Sequence, residues 1–353
     1  MSNRAKNIIY SLVLLGLLAT VYFYRKYQSS TNKETDSKTP SYVAIQGEAQ
    51  GTTYLIKYED TQRRNLQSAV DSLLRDFDQS LSTWQEDSDV SRFNRADTSG
   101  ITLRYPYFYE VLQKSKEIYA YSEGAFDPTI APLSNAWGFG FSKASEMTPT
   151  LVDSLQRLVS FDYITFDEKR LKKKKEGVML DFNSIAQGYS VDVIANYFIS
   201  LGIRNYMVEL GGEVACAGVN EEGEAWQIGI KDPILAEKGK AEAKAIVALK
   251  DQSLATSGNY EKFYIKDGKK YTHILNPKTG YPVEHGLLSA TVIAEDAITA
   301  DAFATLCLVV GLEKSKEILA EKPQLSAYLI YNDEQGKLKS FKSEGIKKIL
   351  QEF

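Results

Sequence analysis

Two oxygen-bearing side chains, Asp301 and Thr305, stand four residues apart in the segment ADAFAT. The apolar run around them, residues 298–310, predicts a helix, and a spacing of four places both oxygens on one helix face. Such oxygens suit Mg²⁺, a hard cation that takes one or two carboxylates and completes its shell with phosphates and waters. The pair is therefore a candidate metal site, and a plain polar pair near the start of a helix is the alternative.

Two short segments rich in small residues are candidate phosphate-binding turns. They are Gly211-Gly212 and Thr256-Ser257-Gly258, where absent or short side chains let backbone amides approach a phosphate closely. Taken singly, each is also compatible with an ordinary turn, so neither alone predicts a ligand.

One histidine, His273, stands in a motif, HILNPKTGYP. Because histidine titrates near neutral pH, His273 is a candidate general base, and a hydrogen-bonded structural role is the alternative. The sequence has one other histidine, His285, which excludes a centre built from several histidines. Asp181 lies between a predicted strand and a predicted helix, where an N-cap or turn residue is expected.

Composition and missing motifs argue against several protein classes. The 42 Lys and Arg residues against 46 Asp and Glu residues give a net charge of −4, without the basic excess of a nucleic-acid-binding domain. The lysine run at 172–175 is typical of a solvated strand or turn. Signatures of P-loop, Rossmann, α/β-hydrolase and zincin enzymes are absent. Cys216 and Cys307 lie in separate apolar runs, which predicts two buried side chains and leaves a disulfide open.

The chain begins with a predicted membrane anchor at residues 1–25. The apolar stretch at 8–24 has the length of a short membrane span, and basic residues before it favour a cytoplasmic N-terminus. Bulky residues occupy the place where a signal peptidase needs small ones, so an uncleaved anchor is predicted over a cleaved signal peptide. A polar linker at 26–41 then leads into a globular domain at 42–353.

The globular part predicts an α+β fold with mixed, largely antiparallel sheets and helices packed on them. Its strands are mostly joined by hairpins and its helices fall in separate blocks, which disfavours a doubly wound sheet. Helices are predicted at 61–81, 107–121, 151–158, 184–200 and 298–310. Strands are predicted at 42–58 around a turn near Gly51, and at 161–166, 177–182, 206–210, 214–219, 226–231, 244–250, 263–271 and 288–294.

Eight clusters in a fixed order, spread from Gly47 to Gly311, resemble the ApbE family of FAD:protein FMN transferases. The clusters are GTTY at 51–54, SDVSRFN at 88–94, GAFDPT at 124–129, LDFNSIAQGY at 180–189, LGGE at 210–213, ATSG at 255–258, HILNPKTGYP at 273–282 and ADAFAT at 300–305. The resemblance implies an ApbE-like fold for the domain.

The resemblance also implies roles for individual residues. It assigns Asp301 and Thr305 to Mg²⁺, adds the backbone carbonyl at Ser184 as a third ligand, and leaves substrate phosphate to complete the shell. Flavin contacts are implied for Trp84, Ala125, Phe126, Asp127, Asp181, Gln187 and Ile274, beside the phosphate-binding candidates Gly211, Gly212, Thr256, Ser257 and Gly258. His273 is implied as the base.

The activity implied by the resemblance is attack of an acceptor threonine hydroxyl on the FMN phosphorus of FAD, which releases AMP. The acceptors of such enzymes are commonly flavoproteins of electron-transfer complexes, and the predicted anchor places the domain on the periplasmic side of the inner membrane. Two alternatives remain: a Mg²⁺-dependent FAD pyrophosphatase and a non-enzymatic flavin-binding protein.

Overall fold

Strands dominate the second half of the chain in the computed structural model, which describes residues 41–353 apart from Ser142, Ala241, Glu261 and Asp267. The strands are β1 (Tyr42–Ala49), β2 (Thr52–Glu59), β3 (Ile101–Thr102), β4 (Ile164–Phe166), β5 (Arg170–Lys173), β6 (Tyr206–Leu210), β7 (Glu213–Ala217), β8 (Trp226–Lys231), β9 (Ala243–Leu249), β10 (Gln252–Gly258), β11 (Phe263–Lys266), β12 (Lys269–Thr272), β13 (Leu287–Ala294), β14 (Ser326–Asn332), β15 (Leu338–Lys342) and β16 (Leu350–Glu352). The helices are α1 (Gln67–Leu81), α2 (Asp89–Arg95), α3 (Tyr107–Tyr121), α4 (Ala131–Trp137), α5 (Pro149–Gln156), α6 (Ala186–Ser200), α7 (Pro233–Glu237) and α8 (Ala297–Glu321).

A large antiparallel sheet carries the fold. Its order is β1-β2-β6-β7-β10-β13-β14-β15, and each neighbouring pair runs antiparallel. Smaller sheets are β16-β9-β8, β3-β5-β4 and the hairpin β11-β12. The predicted α+β class with largely antiparallel sheets is confirmed.

The middle of the large sheet is buried on both faces, because alternate residues of a strand point to opposite sides. On β10 and β13, Ala255 and Val292 pack into the core that contains α8. Leu254 and Ile293 point the other way, into a core shared with the sheet β16-β9-β8. The helical layer therefore rests on a rigid base, and this layer carries much of the candidate site.

Helix α8 is joined to α6 by hydrogen bonds at the first turn of α8. Asp296 caps α8 by accepting from the amide of Thr299, and Asp192 of α6 accepts from the amides of Ala297 and Ile298, each at 2.8 Å. These bonds satisfy amides that a helix start leaves without intrahelical partners. They also fix the register of α8, on which Asp301 and Thr305 stand.

Several predicted boundaries move, for local reasons. Helix α1 begins at Gln67 rather than at residue 61, because Asp60 accepts from the amides of Gln62 and Arg64 and holds that segment in a turn. The strand predicted at 177–182 does not form. Both cysteines are buried and free, so the disulfide that the sequence left open is absent.

Strand β5, which precedes the segment 177–182, contains a buried lysine. Lys173 of β5 donates to the carbonyls of Phe93, Asn94 and Val178 at 3.1, 3.3 and 2.9 Å. The prediction of a solvated run at 172–175 is therefore wrong at Lys173, because three carbonyl groups replace water around its ammonium.

Residues 42–353 form one compact unit. Within the residues described above, no helix is both long enough and apolar enough to cross a bilayer. The predicted anchor at 1–25 and nearly all of the linker at 26–41 lie outside the described residues.

Candidate active site

A cavity of about 200 Å³ lies where the end of β10, the start of α6 and one face of α8 meet. Two further segments, before β11 and after β12, close its side. The sequence-predicted residues that line it are Ala125, Phe126, Asp127, Asp181, Ser184, Gln187, Thr256, Ser257, Gly258, His273, Ile274, Asp301 and Thr305. Residues from five separate parts of the chain thus converge on one space.

Asp301 lies on the wall that α8 contributes to this cavity. Its carboxylate oxygen Oδ2 accepts from the amide of Gly188 at 2.9 Å. Gly188 must be a glycine, because a Cβ there would lie 2.3 Å from the carbonyl oxygen of Ala297 and 2.7 Å from Cβ of Asp301. Burial raises the pKa of Asp301 to about 7, and the amide of Gly188 offsets only part of that effect.

Thr305 lies one turn further along α8 and faces β10. Its hydroxyl is 3.1 Å from the hydroxyl of Ser257, and the neighbouring Thr256 hydroxyl is 2.8 Å from that of Thr291. The segment 256–258 is the end of strand β10 and not the turn that the sequence predicted. It therefore contributes hydroxyl side chains to the site from a sheet that is packed on both faces.

Asp127, Asp181 and their neighbours form another part of the cavity lining. Asp127 accepts from the amides of Thr129 and Phe161, and burial raises its pKa to about 6. Burial also raises the pKa of Asp181, whose amide donates to the carbonyl of Pro128 at 2.8 Å. That bond ties the two acidic segments together.

A side-chain clamp holds the segment that carries Asp181. The Asn94 amide group donates to the carbonyl of Leu180 at 2.9 Å and accepts from its amide at 2.7 Å. Because Lys173 binds the carbonyl of Asn94, the clamp is itself fixed. The segment from residue 177 to residue 182 needs this support, since it belongs to no strand.

His273 follows β12 and is half-buried at the cavity wall. Its Nδ1 lies 3.0 Å from the carbonyl oxygen of Lys262, so Nδ1 carries the proton that is donated to this oxygen. In the neutral ring, Nε2 then holds the free lone pair. Burial lowers the pKa of His273 to about 4, so the ring is neutral at physiological pH and able to accept a proton.

Charge in the cavity is mostly negative. Asp127, Asp181, Asp301 and Glu213 line it, and Lys262 is the cationic side chain among the described lining residues. The positive charge of Lys262 lowers the pKa of Asp181, against the larger effect of burial. A polyanionic ligand would be repelled by this set of carboxylates unless a cation accompanied it.

The residues present fit such a cation. Among the residues that the structure describes, no group of three or more His, Cys, Asp or Glu residues suits a metal ion. Asp301 is a buried carboxylate whose pKa is raised by burial, so a bound cation would stabilise its charged form, and the Thr305 hydroxyl shares its helix face. Ser184 lines the same cavity. One carboxylate with neutral oxygens is the donor set of a Mg²⁺ ion that keeps phosphate and water ligands.

Three predicted site residues lie outside the cavity lining. Trp84 is 71% exposed, in the loop between α1 and α2. The amide of Gly211 donates to the carbonyl of Thr53, and that of Gly212 to the carboxylate of Glu209. These bonds occupy both amides in the structure, and the phosphate contact of the two glycines stays a prediction.

Gly211 still contributes to the site, through a neighbouring side chain. A Cβ at Gly211, where φ is 62°, would lie 2.0 Å from Nε2 of Gln187. Gly211 therefore leaves space for Gln187, which does line the cavity. The flavin contact implied for Trp84 stays a prediction.

Sequence reasoning missed several residues of the lining. Lys262 and Phe139 stand outside the eight clusters, and Glu213 and Asn183 stand within clusters but received no role. No motif marks Lys262 in the sequence. It reaches the cavity because the hairpin β11-β12 brings residue 262 next to residue 273. Asn183 follows Asp181 by two residues and donates its amide to that carboxylate.

Comparison with known proteins extends these observations. The family model described as "ApbE family" matches residues 50–329. A protein of Haemophilus influenzae named FAD:protein FMN transferase is 35% identical over 311 residues, which cover 85% of this chain and 89% of the relative. The protein of the same name from Vibrio cholerae is 33% identical over 319 residues, covering 89% of this chain and 94% of the relative.

Two solved structures of proteins named ApbE are also similar to this chain. The structure of the flavinyl transferase ApbE of Pseudomonas stutzeri in its apo form superposes with a TM-score of 0.78 at 32% identity, covering 89% of this chain and 98% of that one. The flavin transferase ApbE of Vibrio cholerae gives 0.76 at 32% identity, covering 88% and 99%.

Proposed function

The chain belongs to the ApbE family, and from that premise we propose that it is an FAD:protein FMN transferase. It transfers FMN from FAD to an acceptor protein. The observation that carries the proposal is the convergence of a buried carboxylate, Asp301, and a neutral histidine, His273, on one cavity in a chain whose relatives bear that name.

The reaction is a displacement at the FMN phosphorus of FAD. The oxygen of an acceptor threonine forms the new bond to this phosphorus. The bond between the phosphorus and the bridging oxygen breaks, and AMP leaves with that oxygen. The hydroxyl proton passes to a base, so the products are an FMN phosphoester on threonine and AMP.

His273 is the residue we assign as that base. Its Nδ1 is held by the carbonyl of Lys262, which leaves Nε2 to accept the threonine proton. With its pKa lowered to about 4, the ring is almost entirely in the accepting form at neutral pH. A positioned base contributes about 10²- to 10⁴-fold to the rate and does best when its pKa is near the working pH, so a pKa of about 4, below the neutral range expected from the sequence, places His273 toward the lower end.

Asp301, Thr305 and the carbonyl of Ser184 are the groups that we propose to hold Mg²⁺. When bound, Mg²⁺ would neutralise charge on the pyrophosphate and on the departing AMP. Asp301 supplies the negative charge of the site, Gly188 orients its carboxylate, and the Ser257 hydroxyl orients that of Thr305.

The flavin and ribityl contacts are proposed at other lining residues of the cavity. Phe126 and Ile274 offer buried apolar surface, while Asp127, Asp181 and Gln187 offer polar groups. The cavity of about 200 Å³ is smaller than typical ligand sites of roughly 300–1,000 Å³. A dinucleotide therefore extends beyond it, and Trp84 is exposed and available to such an outer part.

Mass spectrometry of an acceptor protein separates this function from its rivals. The chain is incubated with FAD, Mg²⁺ and a candidate acceptor, and a matched acceptor with threonine replaced by valine serves as control. A gain of one FMN less one water, absent in the control, supports transfer. FMN and AMP without a labelled protein indicate a pyrophosphatase, and unchanged FAD indicates a flavin-binding protein.

We also propose that the enzyme is a single-pass protein of the inner membrane, with its domain in the periplasm and acceptors among electron-transfer flavoproteins. The support is the apolar stretch at 8–24 and the polar linker after it. Added protease should digest residues 42–353 in spheroplasts, and the protein should sediment with membranes. Recovery from the soluble periplasm with a new N-terminus would instead show a cleaved signal peptide.

A further inference from the structure

We propose that the hairpin β11-β12 is the docking element for the acceptor protein. It would receive an extended segment of the acceptor that bears the threonine and carries apolar and acidic side chains beside it. This inference rests on the proposed function, because only a transferase must admit a protein chain to its cavity.

The hairpin is rooted in the active site. Lys262 precedes β11, His273 follows β12, and both line the cavity. The carbonyl of Lys262 accepts from the backbone amide of His273 at 3.1 Å as well as from its ring. An acceptor segment that lies along the hairpin toward Lys262 therefore arrives next to His273, the proposed general base.

One face of the hairpin is anchored to the rest of the domain. Tyr264 and Tyr271 pair across the strands with ring centroids 5.3 Å apart. Phe139 stacks on Tyr264 at 5.4 Å, and Trp137 stacks on Tyr271 at 5.6 Å. These aromatic contacts fix the hairpin's orientation, so its other face is presented in a defined direction.

The other face exposes apolar side chains. Ile265 is 68% exposed and Phe263 is 36% exposed, and residues at this spacing lie on the same side of a strand. Exposed large apolar side chains grouped on one face of an element mark an interaction surface.

The hairpin forms a two-stranded sheet of its own. In the described part of the chain, β11 and β12 pair with each other and with no further strand. An unpaired strand edge is a template for an added strand, which is a common mode of binding an extended peptide. The acceptor segment can therefore form main-chain hydrogen bonds as well as apolar contacts.

Charge sets the expected chemistry of the partner. Residues 261–272 contain four lysines against two acidic residues, in a chain whose net charge is −4. Lys262 and Lys266 are exposed, while Lys270 pairs with Glu237 and lies 4.0 Å from the ring of Phe263. Acidic side chains beside the threonine would complement this surface and speed association.

The test compares Ile265→Asp with Ile199→Asp, a control at another exposed isoleucine, 46% exposed at the end of α6. Acceptor concentration is varied at saturating FAD and Mg²⁺, and FAD affinity is measured separately by flavin fluorescence. Ile265→Asp should lower kcat/KM for the acceptor at least tenfold, mainly through KM, and leave FAD affinity unchanged. Ile199→Asp should resemble wild type.

Charge reversal at Lys266 provides a second variant. Lys266→Glu should also weaken acceptor use, and its difference from wild type should shrink as salt rises. Normal acceptor KM in both hairpin variants would overturn the docking proposal while leaving the transferase intact. A change of oligomeric state in Ile265→Asp without acceptor would overturn it in favour of a surface for a second copy. Wild type that labels no acceptor would instead refute the proposed function.

Discussion

Replacing Asp301 with asparagine is expected to make the metal-free protein more stable at pH 8. The side chain keeps its size, and the asparagine oxygen can still accept from the amide of Gly188. What disappears is the ionisation of a carboxyl that is 4% exposed. The substitution therefore isolates the cost of holding this charge in the absence of a cation.

The raised pKa of Asp301 sets the sign and size of the effect. Burial raises it from 3.8 to about 7, so between about pH 4 and pH 7 the folded protein holds a proton that the unfolded chain has lost. Stability contributed by this group therefore falls as pH rises through that window. A shift of about three units corresponds to about 4 kcal/mol, the gain expected for Asp301→Asn at pH 8. At pH 4 the two proteins should be nearly equal.

Urea unfolding in the presence of a chelator measures this difference at both pH values. A second series at saturating FAD compares unfolding with and without Mg²⁺. A ligand present at 100 times its Kd stabilises by about 2.7 kcal/mol, so wild type should gain about that amount. Asp301→Asn should show no Mg²⁺-dependent gain.

Asp78→Asn is the matched control for the metal response. Asp78 of α1 is another carboxyl whose pKa burial raises, to about 6, and it lies outside the cavity lining. This control should keep the full Mg²⁺ response. If Asp301→Asn gained as much stability from Mg²⁺ as wild type does, the assignment of Asp301 to a metal would be refuted. If Asp301→Asn were less stable than wild type at pH 8 without metal, burial of an unfavourable charge at Asp301 would be refuted.

Three further predictions concern the base, the second metal residue and the clamp. His273→Gln should lower the single-turnover transfer rate about 10²- to 10⁴-fold with FAD affinity retained. In wild type at saturating Mg²⁺, that rate should stay flat from pH 8 to about pH 6.5, since the pKa of His273 is about 4 and that of Asp127, the next cavity group to titrate, is about 6. Thr305→Val should raise the Mg²⁺ concentration needed for half-maximal rate by less than Asp301→Asn does, with the fold intact by circular dichroism. Lys173→Met leaves two buried carbonyls and one partly buried carbonyl without their donor and should lower the free energy of unfolding in urea by about 3 kcal/mol. Lys172→Met, at the exposed neighbour, should change it by less than about 0.5 kcal/mol.

Local patterns predicted those parts of the site that depend on one element. The apolar period at 298–310 indicated a helix, and a spacing of four residues placed Asp301 and Thr305 on one face of α8. The same reasoning gave α3 with the correct bounds, because its buried residues recur at helical spacing.

Contacts between distant segments could not be read from the sequence. The amide of Gly188 reaches Asp301 across 113 positions, and Asn94 clamps Leu180 across 86. Such contacts follow from how α6 packs on α8 and how β5 is placed. Composition alone indicates glycine and asparagine as turn residues, and it names no partner for them.

Tertiary context also overrode local preference in two places. The segment 256–258 has the small residues of a turn, yet β13 pairs with it and α8 covers it, so it extends β10. Lys173 belongs to a run typical of solvated surface, yet backbone carbonyls at three points enclose its ammonium. In both cases the deciding interactions come from residues far along the chain.

The most direct test of the central claim follows oxygen through a single turnover. Enzyme, FAD, Mg²⁺ and acceptor are mixed in water enriched in heavy oxygen, and the AMP and the labelled acceptor are analysed by mass. Attack by the threonine hydroxyl on the FMN phosphorus predicts one AMP per label and no heavy oxygen in either product. Heavy oxygen in FMN or AMP, with AMP exceeding the label, would show that water is the nucleophile and would contradict direct transfer.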